Sequence, residues 1–137
     1  MRCIVASFSA YVLLACSTSA ARNLPPIPEE PFNSTVEFLL TSAATDFSQM
    51  SGLPRPVRFR DVRTGYMMRS ATDRQYMLCG SFSPVGKTQW TPFVTIKTSG
   101  YEQYVGAQAV SFCTSPSVTW DKGDLSSALQ SRFESTR

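Results

Sequence analysis

The chain has 137 residues, 42% of them hydrophobic and 17% charged, with a net charge of +3, four cysteines and no histidine. That length supports one domain, and the hydrophobic content lies between that of a disordered tail and that of a polytopic membrane protein. The missing histidine excludes a Ser-His-Asp or Cys-His nucleophilic system within this chain and removes the commonest zinc ligand; so mild a positive charge is no argument for nucleic acid.

Residues 1–21 read as an export signal. Arg2 gives a positive start, Cys3 to Cys16 an apolar stretch around Ile4, Val5, Val12, Leu13 and Leu14, and Ser17-Thr18-Ser19-Ala20-Ala21 a small-residue cleavage region. The stretch is too short to span a bilayer, which takes about 20 apolar residues. No second apolar run follows, so no transmembrane helix is expected in the mature chain. Cleavage after Ala20 or Ala21 is the leading expectation. Leu13-Leu14-Ala15-Cys16 also resembles a lipobox, so lipidation at Cys16 is the alternative, although leucine at the middle position is a poor match. Residues 22–33 read as a Pro-rich linker, with Pro25, Pro26, Pro28 and Pro31 favouring extended polyproline II. Residues 34–137 then form a single domain.

Ser34 to Met50 predicts a helix. Ser34-Thr35-Val36-Glu37 matches a capping box, and Val36, Leu39, Leu40, Ala43, Phe47 and Met50 recur as one apolar stripe. Phe38 falls opposite that stripe. Gly52 and Pro54 end the helix. Val57-Arg58-Phe59-Arg60 alternates apolar and basic residues as a strand does, and Asp61-Val62 breaks the phase, which predicts a bulge. Tyr66-Met67-Met68 continues that strand, and Ser70 to Asp73 turns the chain. Gln75 to Phe82 is the second strand, with Tyr76, Leu78 and Phe82 on one face and Met77 and Cys79 on the other. Phe93 to Lys97 is the third, followed by a Ser99-Gly100 turn. Val110 to Cys113 is expected as a fourth strand, while Gly106 to Ala109 is ambiguous between strand and helix. A short last helix starts at Asp124 as N-cap, with Leu125, Ala128, Leu129 and Phe133 on its apolar face. The order predicts an α+β domain, an N-terminal helix and a short C-terminal helix packed on an antiparallel sheet of three to four strands.

Cys79 and Cys113 remain after the signal region. In an oxidising compartment an even pair reads as one disulfide, and free thiols or a metal site are the alternatives. Closing that loop would contribute roughly 3–4 kcal/mol in the chain-entropy account. Residues 55–74 hold six arginines, Arg55, Arg58, Arg60, Arg63, Arg69 and Arg74, against Asp61 and Asp73. Arg58 and Arg60 share a strand face. With Arg63 they are the candidate anion-binding residues, since guanidinium forks suit carboxylates and phosphates. The bland alternative is a solvated face that discourages aggregation. Gly86-Lys87-Thr88 resembles the end of a phosphate loop, but Ser81 stands where the first glycine belongs and a strand follows instead of a helix. Asp121 and Asp124 are the closest acidic pair in the C-terminal half, and Asn33-Ser34-Thr35 matches a sequon that capping by Ser34 explains better. Trp90, Trp120, Tyr101 and Tyr104 are explained more simply by packing than by ligand contact. No catalytic residue, metal site or cofactor is assigned.

Arg58-Phe59-Arg60-Asp61-Val62-Arg63, then Cys79-Gly80, then Thr91-Pro92-Phe93 resembles a group of small exported bacterial proteins of unknown function. These carry F-R-x-V-R, C-G-x-V-N and an aromatic-rich G-Y-x-G-F-x-x-F segment. Ser81-Phe82-Ser83 and Trp90 depart from that pattern. The resemblance covers about 40 of the 137 residues and implies export and an α+β fold, with no activity attached. The expectation is therefore a small periplasmic or secreted envelope protein, or an outer-membrane lipoprotein, that binds an envelope or extracellular partner without catalysis. A small secreted hydrolase using carboxylates and an inhibitor of an extracellular enzyme are the alternatives.

Overall fold

The computed structural model describes residues 32–136; the expected signal segment, Cys16 and residues 22–31 of the expected linker lie outside them. Helix α1 (Phe32–Gln49) buries the stripe Leu39, Leu40, Ala43 and Phe47, and Val36 and Met50 pack on the same cluster. It begins two residues before Ser34, which places Ser34 in the first turn. Glu37 does not serve a capping box: it pairs with Arg132 on α3 (Ser126–Ser135). Because the helix already starts at Phe32, Ser34 is not the N-cap that a capping box needs, and the Glu37 carboxylate meets a guanidinium across the helix interface instead.

Five antiparallel strands follow, β1 (Val57–Met68), β2 (Arg74–Pro84), β3 (Thr91–Lys97), β4 (Tyr101–Val105) and β5 (Thr119–Trp120), in the spatial order β4-β3-β2-β1-β5. The fold is α+β, with five strands in place of three to four. The first three strands lie where alternation placed them. The fourth does not. Tyr101–Val105 returns along β3, and the expected strand at Val110–Cys113 belongs to helix α2 (Ala107–Cys113). Gly106, at φ 71°, breaks the extended chain between them. Ala109, Phe112 and Cys113 then follow helical i, i+3, i+4 spacing and pack on the sheet.

The sheet carries a different layer on each face. On one, α1 and α3 cover an aromatic core. The Phe47 ring centroid lies 4.8 to 5.1 Å from those of Phe82, Phe93 and Phe59, and Phe59 reaches Phe133 of α3 at 5.5 Å. On the other, α2 covers Met77, Cys79, Val94 and Ile96. A disulfide between Cys79 on β2 and Cys113 on α2 staples it there, with Cα atoms 5.9 Å apart. The N-cap of α3 is Leu125 and not the expected Asp124, because the first helical bond runs from the Leu129 amide to the Leu125 carbonyl. Asp124 sits one residue earlier and accepts hydrogen bonds from the Ser126 amide at 2.9 Å and the Ser126 hydroxyl at 2.6 Å. Among the described residues no helix is long and apolar enough to cross a membrane.

Candidate anion-binding face

β1 sends Val57 and Phe59 into the aromatic core and Arg58 and Arg60 to the opposite face. Strict alternation from there would put Arg63 on the core side. The bulge prevents it. β1 pairs Arg60 with Ser81 and Arg63 with Cys79, so Asp61 and Val62 together stand opposite Gly80. One extra residue flips every side chain beyond it to the other face. Val62 is thereby fully buried in the aromatic core, and Arg63 returns to the face of Arg58 and Arg60. Asp61 sits at the bulge with φ 55°, a conformation that aspartate tolerates better than most residues. Gly80 makes room for the insertion. A Cβ there would lie 2.8 Å from both Val62 Cγ2 and Phe93 Cε1, closer than side chains pack.

Each of the three guanidiniums lies over a tryptophan. Arg60 sits 4.2 Å and Arg58 5.2 Å from the ring centroid of Trp90, which stands in the β2–β3 connection just before β3. Arg63 lies 4.1 Å from the ring of Trp120 on β5. Trp120 can cross β1 because Gly65 faces it; a Cβ on Gly65 would come within 2.6 Å of Trp120 Cε3. Such stacking restrains the arginine stems and leaves the N–H edges open to a planar anion. Arg58 Nη2 also donates to the Lys87 carbonyl at 3.3 Å, and Arg60 Nε lies 3.4 Å from a carboxylate oxygen of Asp61. That ion pair is exposed, 52% for Arg60 and 80% for Asp61, so it yields readily to a better anion.

An open groove of about 740 Å³ runs beside Arg63. Ser81, Pro92 and the Cys79–Cys113 disulfide line it, together with Val110 and Thr114 on one side and residues 121–124 on the other. Asp61, Asp121 and Asp124 all reach this groove. Asp121 accepts from the Thr64 hydroxyl at 2.9 Å. The hydrogen bonds from the side chain and backbone of Ser126 hold the Asp124 carboxyl below the usual range. Asp124 thus stays ionised and is poorly suited to donating a proton.

The structure brings Arg58, Arg60 and Arg63 together with Trp90 and Trp120, two of the four aromatics for which packing is the simpler expectation; Trp120 does pack on the α2-face cluster and carries Arg63 as well. Arg69 and Arg74 stand apart, at the β1–β2 turn, where Arg74 lies over Tyr66. Arg55 lies over Phe133 and donates to the end of α1 at Ser48. Gly86-Lys87-Thr88 belongs to the β2–β3 connection, with no helix after it. Tyr101 and Tyr104 lie on β4, away from the arginines. Among the described residues no cluster of three or more Cys, Asp and Glu side chains is arranged to hold a metal ion. No family model, curated protein or solved structure matches the chain.

Proposed function

We propose that this is a small exported envelope protein that acts by binding, and that Arg58, Arg60 and Arg63 are the residues with which it grips a carboxylate- or phosphate-bearing ligand. The observation that carries the reading is that three guanidiniums on one sheet face each rest on a tryptophan. A merely solvated strand has no need of two glycines and a bulge that keep Arg63 and Trp120 there. Export is supported by the charged, apolar and small-residue order of residues 1–21 and by the Cys79–Cys113 disulfide, which suits an oxidising compartment. The partial resemblance to small exported bacterial proteins points the same way.

The binding test is a titration of indole fluorescence with a polyglutamate peptide and with inorganic phosphate. Saturable quenching by either, lost at high salt and in an Arg60→Ala, Arg63→Ala double variant, supports the proposal. Equal response from the variant refutes it. Intact mass after cell fractionation tests the export. A chain starting at Ala21 or Arg22 means ordinary cleavage, and an acylated chain starting at Cys16 means a lipoprotein tethered by the Pro-rich segment.

One observation favours hydrolysis as a second reading: Asp61, Asp121 and Asp124 share the groove with Arg63. Turnover of a glycan or ester panel that disappears in Asp121→Asn would establish it. The carboxylates' engagement with Thr64 and Ser126 leaves it second.

A further inference from the structure

The two edges of the sheet are finished in opposite ways. The outer edge of β1 is engaged at intervals from Val57 to Tyr66. Gln130 of α3 accepts from the Phe59 amide and donates to the Val57 carbonyl. Ser126 Oγ accepts from the Val62 amide, and the amides of Leu125 and Asp121 donate to the Val62 and Thr64 carbonyls. β5 pairs with Gly65 and Tyr66 beyond.

Among the described residues β4 has no such cover. The Gly106 amide donates to Pro92, and the ladder pairs Tyr104 with Val94 and Glu102 with Ile96. By the alternation of an antiparallel ladder, Glu102 and Tyr104 then turn their backbone groups toward β3, and Tyr101, Gln103 and Val105 turn theirs outward. No backbone hydrogen bond among the described residues uses those outward groups. Natural edges are blunted with lysine, proline or bulges. β4 reads Tyr-Glu-Gln-Tyr-Val, with no lysine, proline or bulge and a single charged side chain, Glu102, on the α2 face. Apolar side chains gather beside it. Tyr101 and Val105 are 36% and 40% exposed, and the exposed ring of Phe38 on α1 meets Tyr101 edge-on at 6.5 Å.

We propose that β4 pairs antiparallel with β4 of a second copy of this chain, about a two-fold axis through Gln103, so that the two sheets become one. The strand is complementary to itself in that register. Gln103 faces Gln103, and Tyr101 faces Val105 of the second copy, so every outward group meets another and each facing pair exchanges two N–H···O=C bonds. On the α1 face, Tyr101 covers Val105 of the second copy and brings Phe38 against the seam. On the α2 face, Glu102 lies opposite Tyr104 of the second copy, whose hydroxyl already bonds a Glu102 carboxylate at 2.7 Å within one chain. A slip of two residues one way would set Glu102 against Glu102, which like-charge repulsion disfavours, and a slip the other way would pair only Gln103 with Val105 and leave Tyr101 outside the ladder. A second copy, rather than an unrelated strand, is favoured because the one register that uses every open backbone group also avoids that clash. The interface lies on a different strand from the arginines, so the dimer would present two anion-binding faces.

Sedimentation equilibrium of the purified protein over a range of concentrations, with one engineered cross-link, tests this. The expected result is a reversible dimer that Val105→Lys weakens by at least about tenfold, with the circular dichroism spectrum unchanged. Gln103→Cys, which lies on the axis, should cross-link to a dimer under mild oxidation, and Tyr101→Cys, which faces Val105, should not. A protein monomeric at every concentration, or a dimer indifferent to Val105→Lys and not cross-linked through Gln103→Cys, would overturn the proposal. The edge would then be left to an extended segment of another protein.

Discussion

The two faces of the sheet are built by different rules. The face under α1 and α3 is a continuous apolar layer in which Phe47, Phe59, Phe82, Phe93 and Phe133 contact one another, and Leu39 and Leu129 are fully buried. The face under α2 is only half covered. A seven-residue helix that would not persist alone is fastened by a disulfide, and the uncovered half carries arginine, tryptophan and aspartate. The first arrangement supplies stability, and the second spends surface on charge.

The comparison is broken most severely on the closed face. Phe47→Ala removes the ring at the centre of the aromatic contacts, where it is fully buried between α1 and the sheet. Loss of about 3–5 kcal/mol is expected in urea unfolding, enough to unfold a marginal domain. The staple on the other face comes next. Cys79→Ser with Cys113→Ser should cost about 2–4 kcal/mol, and reductant should bring the wild type down by a similar amount. If that double variant unfolded as late as the wild type, α2 would be held by packing alone and the contrast between the faces would weaken.

Much of this contrast was legible in residue order, for reasons that are local. The α1 stripe, the Val57–Arg60 alternation and the division of Leu78 and Phe82 from Met77 and Cys79 each follow from a period of 3.6 or 2. The phase break at Asp61-Val62 announced the bulge. β4 was missed because Tyr-Glu-Gln-Tyr-Val lies on an edge with polar and aromatic residues on both faces, so its alternation has no hydrophobic contrast. α2 was misread because Val110-Ser111-Phe112-Cys113 alternates like a strand, and only Gly106 and the docking of Ala109 decide for a helix. Arg58 and Arg60 could be named from spacing, but their partner Trp90 lies across two strands, and no local pattern links them. Gly65 and Gly80 were the available signals: a glycine inside a strand marks a place where another group comes close.

Trp90→Ala sharpens the comparison on the open face. The ring is half-buried and lies under two guanidiniums, so its loss should cost stability by about 1 kcal/mol or less. Affinity for a polyglutamate or phosphate probe should fall about tenfold, because Arg58 and Arg60 lose the surface that restrains them. Trp90→Phe should recover part of the affinity. A stability loss as large as that of Phe47→Ala would make Trp90 a core residue and remove the distinction on which the proposed function rests.

The smallest effect concerns the end of α3, where the two faces meet. Asp124 holds the helix start through Ser126 and also borders the groove. Asp124→Ala should cost about 1 kcal/mol or less at neutral pH, since the carboxylate's bonds to Ser126 are exposed to solvent. The pH dependence has a definite sign. The carboxyl is lowered in the folded state by its hydrogen bonds to Ser126, so the folded protein binds that proton less readily than the unfolded chain. The stabilisation is complete above the ordinary aspartate value of 3.8 and is lost as pH falls through the lowered one. The melting temperatures of wild type and Asp124→Ala should therefore differ at pH 7 and converge in acid. Asp124→Asn should retain most of this bonding at either pH, because an amide oxygen accepts the same hydrogen bond from Ser126 without titrating. A gap that stayed constant from pH 7 to acid would mean that Asp124 acts as a neutral hydrogen-bond acceptor for Ser126, and that the groove beside Arg63 does not depend on the Asp124 charge to keep its wall in place.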